Sequence, residues 1–237
     1  MMMPSKADIK LIRSLSNKKF RELHSLFIVE GEKLVEEALC SEFIIDKTFY
    51  IKDIGEEAMS KMTHLSSPSP ALAVVQIPQR ESSVRIYSDK IYLVLDGIRD
   101  PGNMGTIVRL ADWFGITQIF ASKDCVDIYN PKVVQATMGS VFRVDIHYTC
   151  LKELLSEAID KTEIFGASLE GENIYDRKLP KGAMVVMGSE SNGISQELIP
   201  CIGNKIHIPS FAVNGGSESL NVAVATAIVC SEFRRRK

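Results

Sequence analysis

The chain has 237 residues, of which 45% are hydrophobic and 24% charged, and a formal net charge of −2. This is the composition of a soluble globular protein of one large or two small domains, without the overall basic excess of a chain whose whole surface binds nucleic acid. No apolar run reaches membrane length, the charged N-terminus is not a signal peptide, and the five cysteines contain no C-x-x-C pair. The expectation is a reduced, cytoplasmic protein with no disulfide framework, metal site or membrane partner.

Residues 1–24 carry Lys6, Lys10, Arg13, Lys18, Lys19 and Arg21 against Asp8 and Glu22. Such an arm suits phosphate contact or a solvated helix end equally. The pattern then alternates. SLFIVEG (25–31), KTFYI (47–51) and ALAVVQI (71–77) are strand-like, while EKLVEEALC (32–40) and EEAMSKM (56–62) have helical spacing. Residues 1–80 are therefore assigned to a small α/β domain. The polar stretch 81–90 is assigned to a linker and 91–237 to a larger α/β domain. In the latter, the apolar runs IYLVL, TQIFAS, VDIHY, EIFGAS, AMVVMG and NKIHIP alternate with helices near 104–114, 131–139, 151–160, 195–201 and from 219 onward. Continuous apolar strands between helices predict a buried parallel sheet.

Ligands of such sheets bind at the carboxyl ends of the strands. Three polar, glycine-rich loops leave strands there: DGIRDPGNMG (96–105), GSESNG (188–193) and SFAVNGGSESLN (210–221). The first is neither a P-loop, having no Gly-Lys-Ser/Thr, nor a dinucleotide fingerprint, having only Gly102-x-x-Gly105. It opens a helix with Asn103 as the expected N-cap. Ile107, Leu110, Ala111 and Phe114 form the expected buried face, and Arg109 lies opposite, one turn before Trp113. A tryptophan away from the core favours an interface or a binding site. Glu190, between Gly188 and Gly193, can accept hydrogen bonds or a proton. The helix after the third loop is apolar or small from 222 to 230, which predicts burial on all sides. Capping accounts for Ser219 at its start but not for Asn221. The terminal Arg234-Arg235-Arg236-Lys237 is expected to be a solubilising tail or to satisfy its own helix dipole.

Taken together, the three loops resemble the three motifs of the SpoU (TrmH-like) branch of the SPOUT RNA methyltransferases. The first matches at Asn103, Gly105 and Arg109. The second matches at Gly188, Ser189, Glu190 and Gly193, and the third at Ile208-Pro209 and Ser219-Leu220-Asn221. The stretch FIVEGEKLVEEAL resembles the RNA-binding domain that precedes the catalytic domain in many members. The resemblance implies a trefoil-knotted parallel-sheet domain preceded by a small α/β RNA-binding domain. It implies S-adenosylmethionine held by Gly188, Ser189, Glu190, Ile208, Leu220 and Asn221. It also implies a homodimer in which Arg109 of one subunit enters the partner's site. Arg109, Asn103, Glu190, Ser219 and Asn221 would serve methyl transfer to a ribose 2′-OH of RNA rather than DNA, with ribosomal RNA favoured over tRNA. Ser210 stands where the family has methionine, and the third loop is lengthened by about three residues around Asn214-Gly215-Gly216, a departure that bears on the cofactor contacts of 210–217. Three other readings compete: a non-catalytic RNA-binding or ribosome-assembly factor with a decayed cofactor site, a base methyltransferase, and a nucleotide-binding oxidoreductase.

Overall fold

The computed structural model describes residues 3–79, 85–212 and 218–235. Residues 81–84 of the expected linker, Asn214-Gly215-Gly216 of the third loop, and Arg236 and Lys237 of the tail lie outside the described residues. The chain divides into two compact units. One gathers the described residues of Met1–Ser82 with Asp127–Phe142, the other those of Ser83–Val126 with Arg143–Lys237.

The first unit begins with α1 (Lys6–Ser14) and α2 (Lys18–His24). Ser5 caps α1 in a reciprocal box: its hydroxyl accepts from the Asp8 N–H at 3.1 Å, and its own N–H donates to the Asp8 carboxylate at 2.9 Å. Strands β1 (Leu26–Glu30), β2 (Ile45–Tyr50) and β3 (Ala71–Gln76) form an antiparallel sheet in the order β1-β3-β2, with the apolar β3 buried at its centre. Helix α3 (Glu32–Leu39) follows β1, and the short helices α4 (Ile51–Ile54) and α5 (Glu56–Ser60) follow β2. Ile12, Leu15, Ile28, Phe49, Met59, Met62, Leu72 and Val74 pack as one core.

The second unit is a six-stranded parallel sheet in the order β6-β5-β4-β8-β7-β9. Its elements are β4 (Ile91–Leu95), α6 (Pro101–Trp113), β5 (Gln118–Ala121), then, after α7 (Pro131–Thr137) of the first unit, β6 (Asp145–Tyr148), α8 (Leu151–Ala158), β7 (Ile164–Asn173), β8 (Ala183–Met187), β9 (Asn204–His207) and α9 (Val222–Arg235). The central strands β4 and β8 are buried at every residue, as their unbroken apolar runs predict. Tyr92, Phe120, Leu155, Met184 and Val186 belong to one core. Helix α9 packs on α6, and Phe233 meets Phe165 edge-on at 5.3 Å.

Several expectations need correction. Residues 127–142 group with the first unit, although the sequence pattern runs through them without a break. Tyr129 packs on Phe27 at 4.6 Å and Phe142 on Phe43 at 5.1 Å, and Gln135 donates to the Glu30 carbonyl at 2.9 Å. Arg21 is no surface cation, being only 2% exposed. Its guanidinium donates to the Leu15 and Ser16 carbonyls, each at 2.8 Å, and to Asp127 at 2.6 and 3.0 Å. The fork geometry of arginine lets one side chain satisfy the α1–α2 turn and a carboxylate 106 residues away. The expected helix at 195–201 is only a 3-10 turn at Ile199–Cys201. Helix α9 is not buried all round, since Val224 is 49% exposed. Arg234 does not serve its own helix: it donates to the carbonyls of Phe114 and Gly115 at 2.7 and 3.1 Å, closing the end of α6. Among the described residues no helix is long and apolar enough to cross a membrane.

The α1 cap gives a pH test. A hydrogen bond from Lys47 at 2.5 Å, reinforced by Ser5, holds the Asp8 carboxyl down at about 2. A depressed carboxyl stabilises the fold above its unfolded value and loses that contribution as pH falls through its native one. Asp8→Asn is therefore expected to be less stable than the wild type above about pH 4, with the gap closing as pH approaches 2 in chemical denaturation.

Candidate functional site

The site is built at the carboxyl ends of β4 and β8. Helix α6 starts earlier than its hydrophobic spacing suggests. Asp100 is the N-cap, accepting from the Asn103 N–H at 2.7 Å, and Pro101 takes the first helical position. This corrects the expectation that Asn103 caps the helix. Asn103 instead lies in the first turn, with its amide free to reach another loop.

That loop is 188–193. The Ser189 and Gly193 backbones pair at 3.0 and 2.9 Å, and the Ser189 hydroxyl accepts from the Asn192 N–H at 3.2 Å. The turn is tight because of Gly188, where a Cβ would fall 2.2–2.4 Å from the Gly193 and Ile194 backbone. Gly193 itself has φ +64° but open space around it. The turn projects Glu190 towards the other two loops.

Glu190 Oε1 accepts three N–H groups: from Asn103 Nδ2 at 3.1 Å, from Asn221 Nδ2 at 2.8 Å and from the Val222 backbone at 3.3 Å. Asn221 Nδ2 is also 2.8 Å from Asn103 Oδ1. Asn221 Oδ1 faces the other way and accepts from the Ala223 and Val224 N–H groups at 3.0 and 3.3 Å. Asn221 is therefore the N-cap of α9. The expectation that Ser219 caps this helix is replaced, and the polar entry to an apolar helix is explained. A single carboxylate oxygen ties together all three loops singled out in the sequence.

Beside this triangle lies a cavity of about 310 Å³ lined by Asp96, Arg99, Asp100, Asn103, Asp124 and Glu190, together with the 188–195 turn and Val222. Asp96 was not among the residues expected from sequence. It is 8% exposed, and its Oδ2 accepts the Ser195 N–H at 2.7 Å, anchoring the 188–195 turn to the end of β4. The signal was present as an aspartate directly after IYLVL at a parallel-strand carboxyl end. Ser122 donates to Asp124 at 2.6 Å and accepts the Gly97 N–H at 2.9 Å, while Arg99 pairs with Asp124 at 2.9 Å. The Ser122 hydroxyl and then the Arg99 guanidinium hold the Asp124 carboxyl below its usual range.

The remaining expected residues lie outside the triangle. Ile208, directly after β9, is half-buried, and Ser219 and Leu220 are exposed. Arg109 is exposed and makes no ion pair among the described residues. Trp113, one turn further along α6, is 84% exposed.

The chain resembles known proteins over its whole length. The model of the SpoU rRNA Methylase family matches residues 90–231, and that of an MRM3-like substrate binding domain matches residues 6–80. The chain is 28% identical over 245 residues to the 23S rRNA (guanosine(2553)-2'-O)-methyltransferase RlmP of Bacillus subtilis, covering 95% of each. Among solved structures, a TrmH-family protein from Porphyromonas gingivalis is 35% identical, with a TM-score of 0.88 and full coverage of both chains. An AdoMet-bound rRNA methyltransferase from Sinorhizobium meliloti is 29% identical, with a TM-score of 0.87 over 99% of this chain and 97% of that one.

The two glycines of the 188–193 turn make separable predictions. Gly193→Ala introduces only left-handed strain, about 1–2 kcal/mol. Gly188→Ala forces backbone apart and is expected to lower the melting temperature well beyond Gly193→Ala. Equal melting of the two variants would overturn this account of the turn.

Proposed function

The chain belongs to the SpoU rRNA methylase family, and on that premise we propose that it transfers a methyl group from S-adenosylmethionine to the ribose 2′-OH of a nucleotide in structured RNA, with ribosomal RNA as the favoured substrate. The observation that carries this reading is the convergence of Asn103, Glu190 and Asn221 on one carboxylate oxygen beside a cavity at the strand ends. An intact triangle of this kind also counts against a decayed, non-catalytic site.

The residues present suit the cofactor's charge. The cavity lining holds four carboxylates, Asp96, Asp100, Asp124 and Glu190, against the single guanidinium of Arg99, an environment that favours a sulfonium cation. In this reading the cofactor is held by the 188–190 turn, which lines the cavity through Ser189 and Glu190, and by Ile208 and Leu220–Asn221 outside that lining; when bound it supplies an electrophilic methyl group. The chain's own tasks are to align the ribose hydroxyl with that methyl and to manage its proton. Glu190, pinned through Oε1, fixes the positions of Asn103 and Asn221, and Ser219, two residues before Asn221, is assigned to the same loop's role. Arg109 is assigned the role of a clamp on the substrate phosphate and hydroxyl, because a guanidinium stays protonated and makes a poor base. The proton then leaves towards the RNA phosphate.

Arg109 does not join the triangle of its own chain, which fits delivery into the site of a second subunit. The homodimer is further supported by the exposed Trp113 on α6 and Val224 on α9, large apolar groups on helices that pack together. The strand order supports a trefoil knot: β7 is laid down two positions away from β4, and β8 later fills the place between them. The reading places the protein with its RNA in the cytoplasm.

The test is transfer of labelled methyl from S-adenosylmethionine to ribosomal RNA lacking the modification, followed by nucleoside analysis. A 2′-O-methylnucleoside is expected, and label recovered only on a base would overturn the reaction assigned. Arg109→Ala is expected to lower transfer at least a hundredfold while cofactor binding and the dimer persist. Normal turnover in that variant would remove Arg109 from the mechanism.

A further inference from the structure

We infer that the exposed face of α2 is a base-stacking platform for unpaired RNA, with Phe20 and His24 as the stacking groups and Lys19 as the adjoining phosphate contact. The inference rests on the reading of the chain as an RNA methyltransferase and names a surface of the first unit by which it would hold that RNA.

Four observations carry it. First, α2 exposes apolar groups on a short, basic, solvent-facing helix: Phe20 is 37% exposed and Leu23 68%. Second, the Phe20 and His24 rings lie one turn apart with centroids at 6.5 Å and planes within 12° of parallel. They stand as a stacked, near-parallel pair on the exposed side of the helix rather than in an edge-on core packing. Third, the surrounding charge is one-sided once internal partners are removed. Asp8 is engaged by Ser5 and Lys47, and Glu22 lies 3.8 Å from Lys18. Lys6, Lys10, Arg13 and Lys19 remain exposed without an ion-pair partner among the described residues. Fourth, the cavity of the second unit has four carboxylates and one guanidinium in its lining, so it offers a polyanion little attraction. Backbone affinity has to be supplied elsewhere, and the α1–α2 face has the matching sign.

Arg21 explains why the platform is rigid enough to serve. It belongs to the same helix but is buried, and its bonds to Leu15, Ser16 and Asp127 fix the turn from which α2 departs. The helix is therefore held from its inner side while its outer side carries the aromatic and basic groups. Aromatic rings of this kind stack on bases of any identity provided the bases are unpaired. A duplex, whose bases already stack on one another, gains only the phosphate contacts.

The experiment uses the full-length protein and a labelled mixed-sequence RNA of about 16 nucleotides, single-stranded or annealed to its complement. The single strand is expected to bind more tightly. Phe20→Ala and Phe20→Leu should each weaken single-strand binding about tenfold or more, Phe20→Tyr should retain it, and duplex binding should change little. Phe20→Leu keeps an apolar side chain without a π face, so it separates stacking from packing. Lys19→Ala should reduce the slope of log K against log salt by about 0.7. Duplex preference in the wild type, or wild-type binding by Phe20→Leu with an unchanged salt slope in the lysine variant, would overturn the inference. Cofactor binding and 2′-O-methyl transfer to ribosomal RNA by the wild type are measured alongside. Their loss would indict the functional reading instead of the platform.

Discussion

One carboxylate oxygen organises the catalytic unit. Glu190 Oε1 accepts N–H groups from the first turn of α6 and from the entry to α9, so three segments separated by as many as 118 residues share one charge. Such a convergence imposes conditions on the rest of the fold. Parallel β4 and β8 must be neighbours so that their carboxyl ends open side by side. The 188–193 turn must be tight enough to present a carboxylate rather than a long flexible loop. Both helices must begin at this edge, so that their unsatisfied N-terminal N–H groups lie where a negative charge stabilises them. Asp96 supplies the support behind the front: its bond to the Ser195 N–H holds the far side of the turn, and Asp100 fixes the start of α6.

The first unit depends on a different device. Its sheet has only three strands and its core is modest, and part of its surface is covered by a segment, Asp127–Phe142, that the chain supplies from within the catalytic portion. Arg21 and Asp127 form the charged part of that attachment, and the Phe27–Tyr129 and Phe43–Phe142 ring pairs the apolar part. Removing Asp127 would leave the buried Arg21 guanidinium with only the Leu15 and Ser16 carbonyls as partners, which costs more than never having placed a pair there. Residue 80 is consequently no clean place to cut: a truncation there takes away what Tyr129, Val133 and Val134 are buried against.

How much of this was legible depended on the range of the interaction. The parallel strands showed as unbroken apolar runs because their burial on both faces is a local property of composition. The three loops showed as polar, glycine-rich departures from those runs, and Asn103, Glu190 and Asn221 could be singled out in them. The partners of those residues could not, because a hydrogen bond across 87 or 118 residues leaves no periodicity. Asp100 was a readable cap, since Pro101 fits the first helical position, but the hydrophobic spacing of Ile107 and Ala111 drew the helix start too late. Arg21 looked like surface because a cation on a short helix usually is. The apolar face of α9 looked like core throughout, and hydropathy does not distinguish a residue buried within a chain from one left at its surface, as Val224 is.

The charge distribution closes the argument about how such a protein handles a polyanion. A net charge of −2 gives no overall attraction to RNA, but the sum conceals a separation. Four carboxylates line the cavity, where their hydrogen bonds set loop geometry, while α1 and α2 carry the exposed Lys6, Lys10, Lys18 and Lys19. An acid-lined cavity cannot also be the main source of phosphate affinity without repelling a polyanion. Placing the basic groups on a separate, internally braced element lets each region keep the sign its chemistry requires. The same separation gives salt a selective effect: it weakens attraction at the exposed lysines through screening and counterion uptake, while the short bonds at Glu190 and Asp96 hold the loops in place.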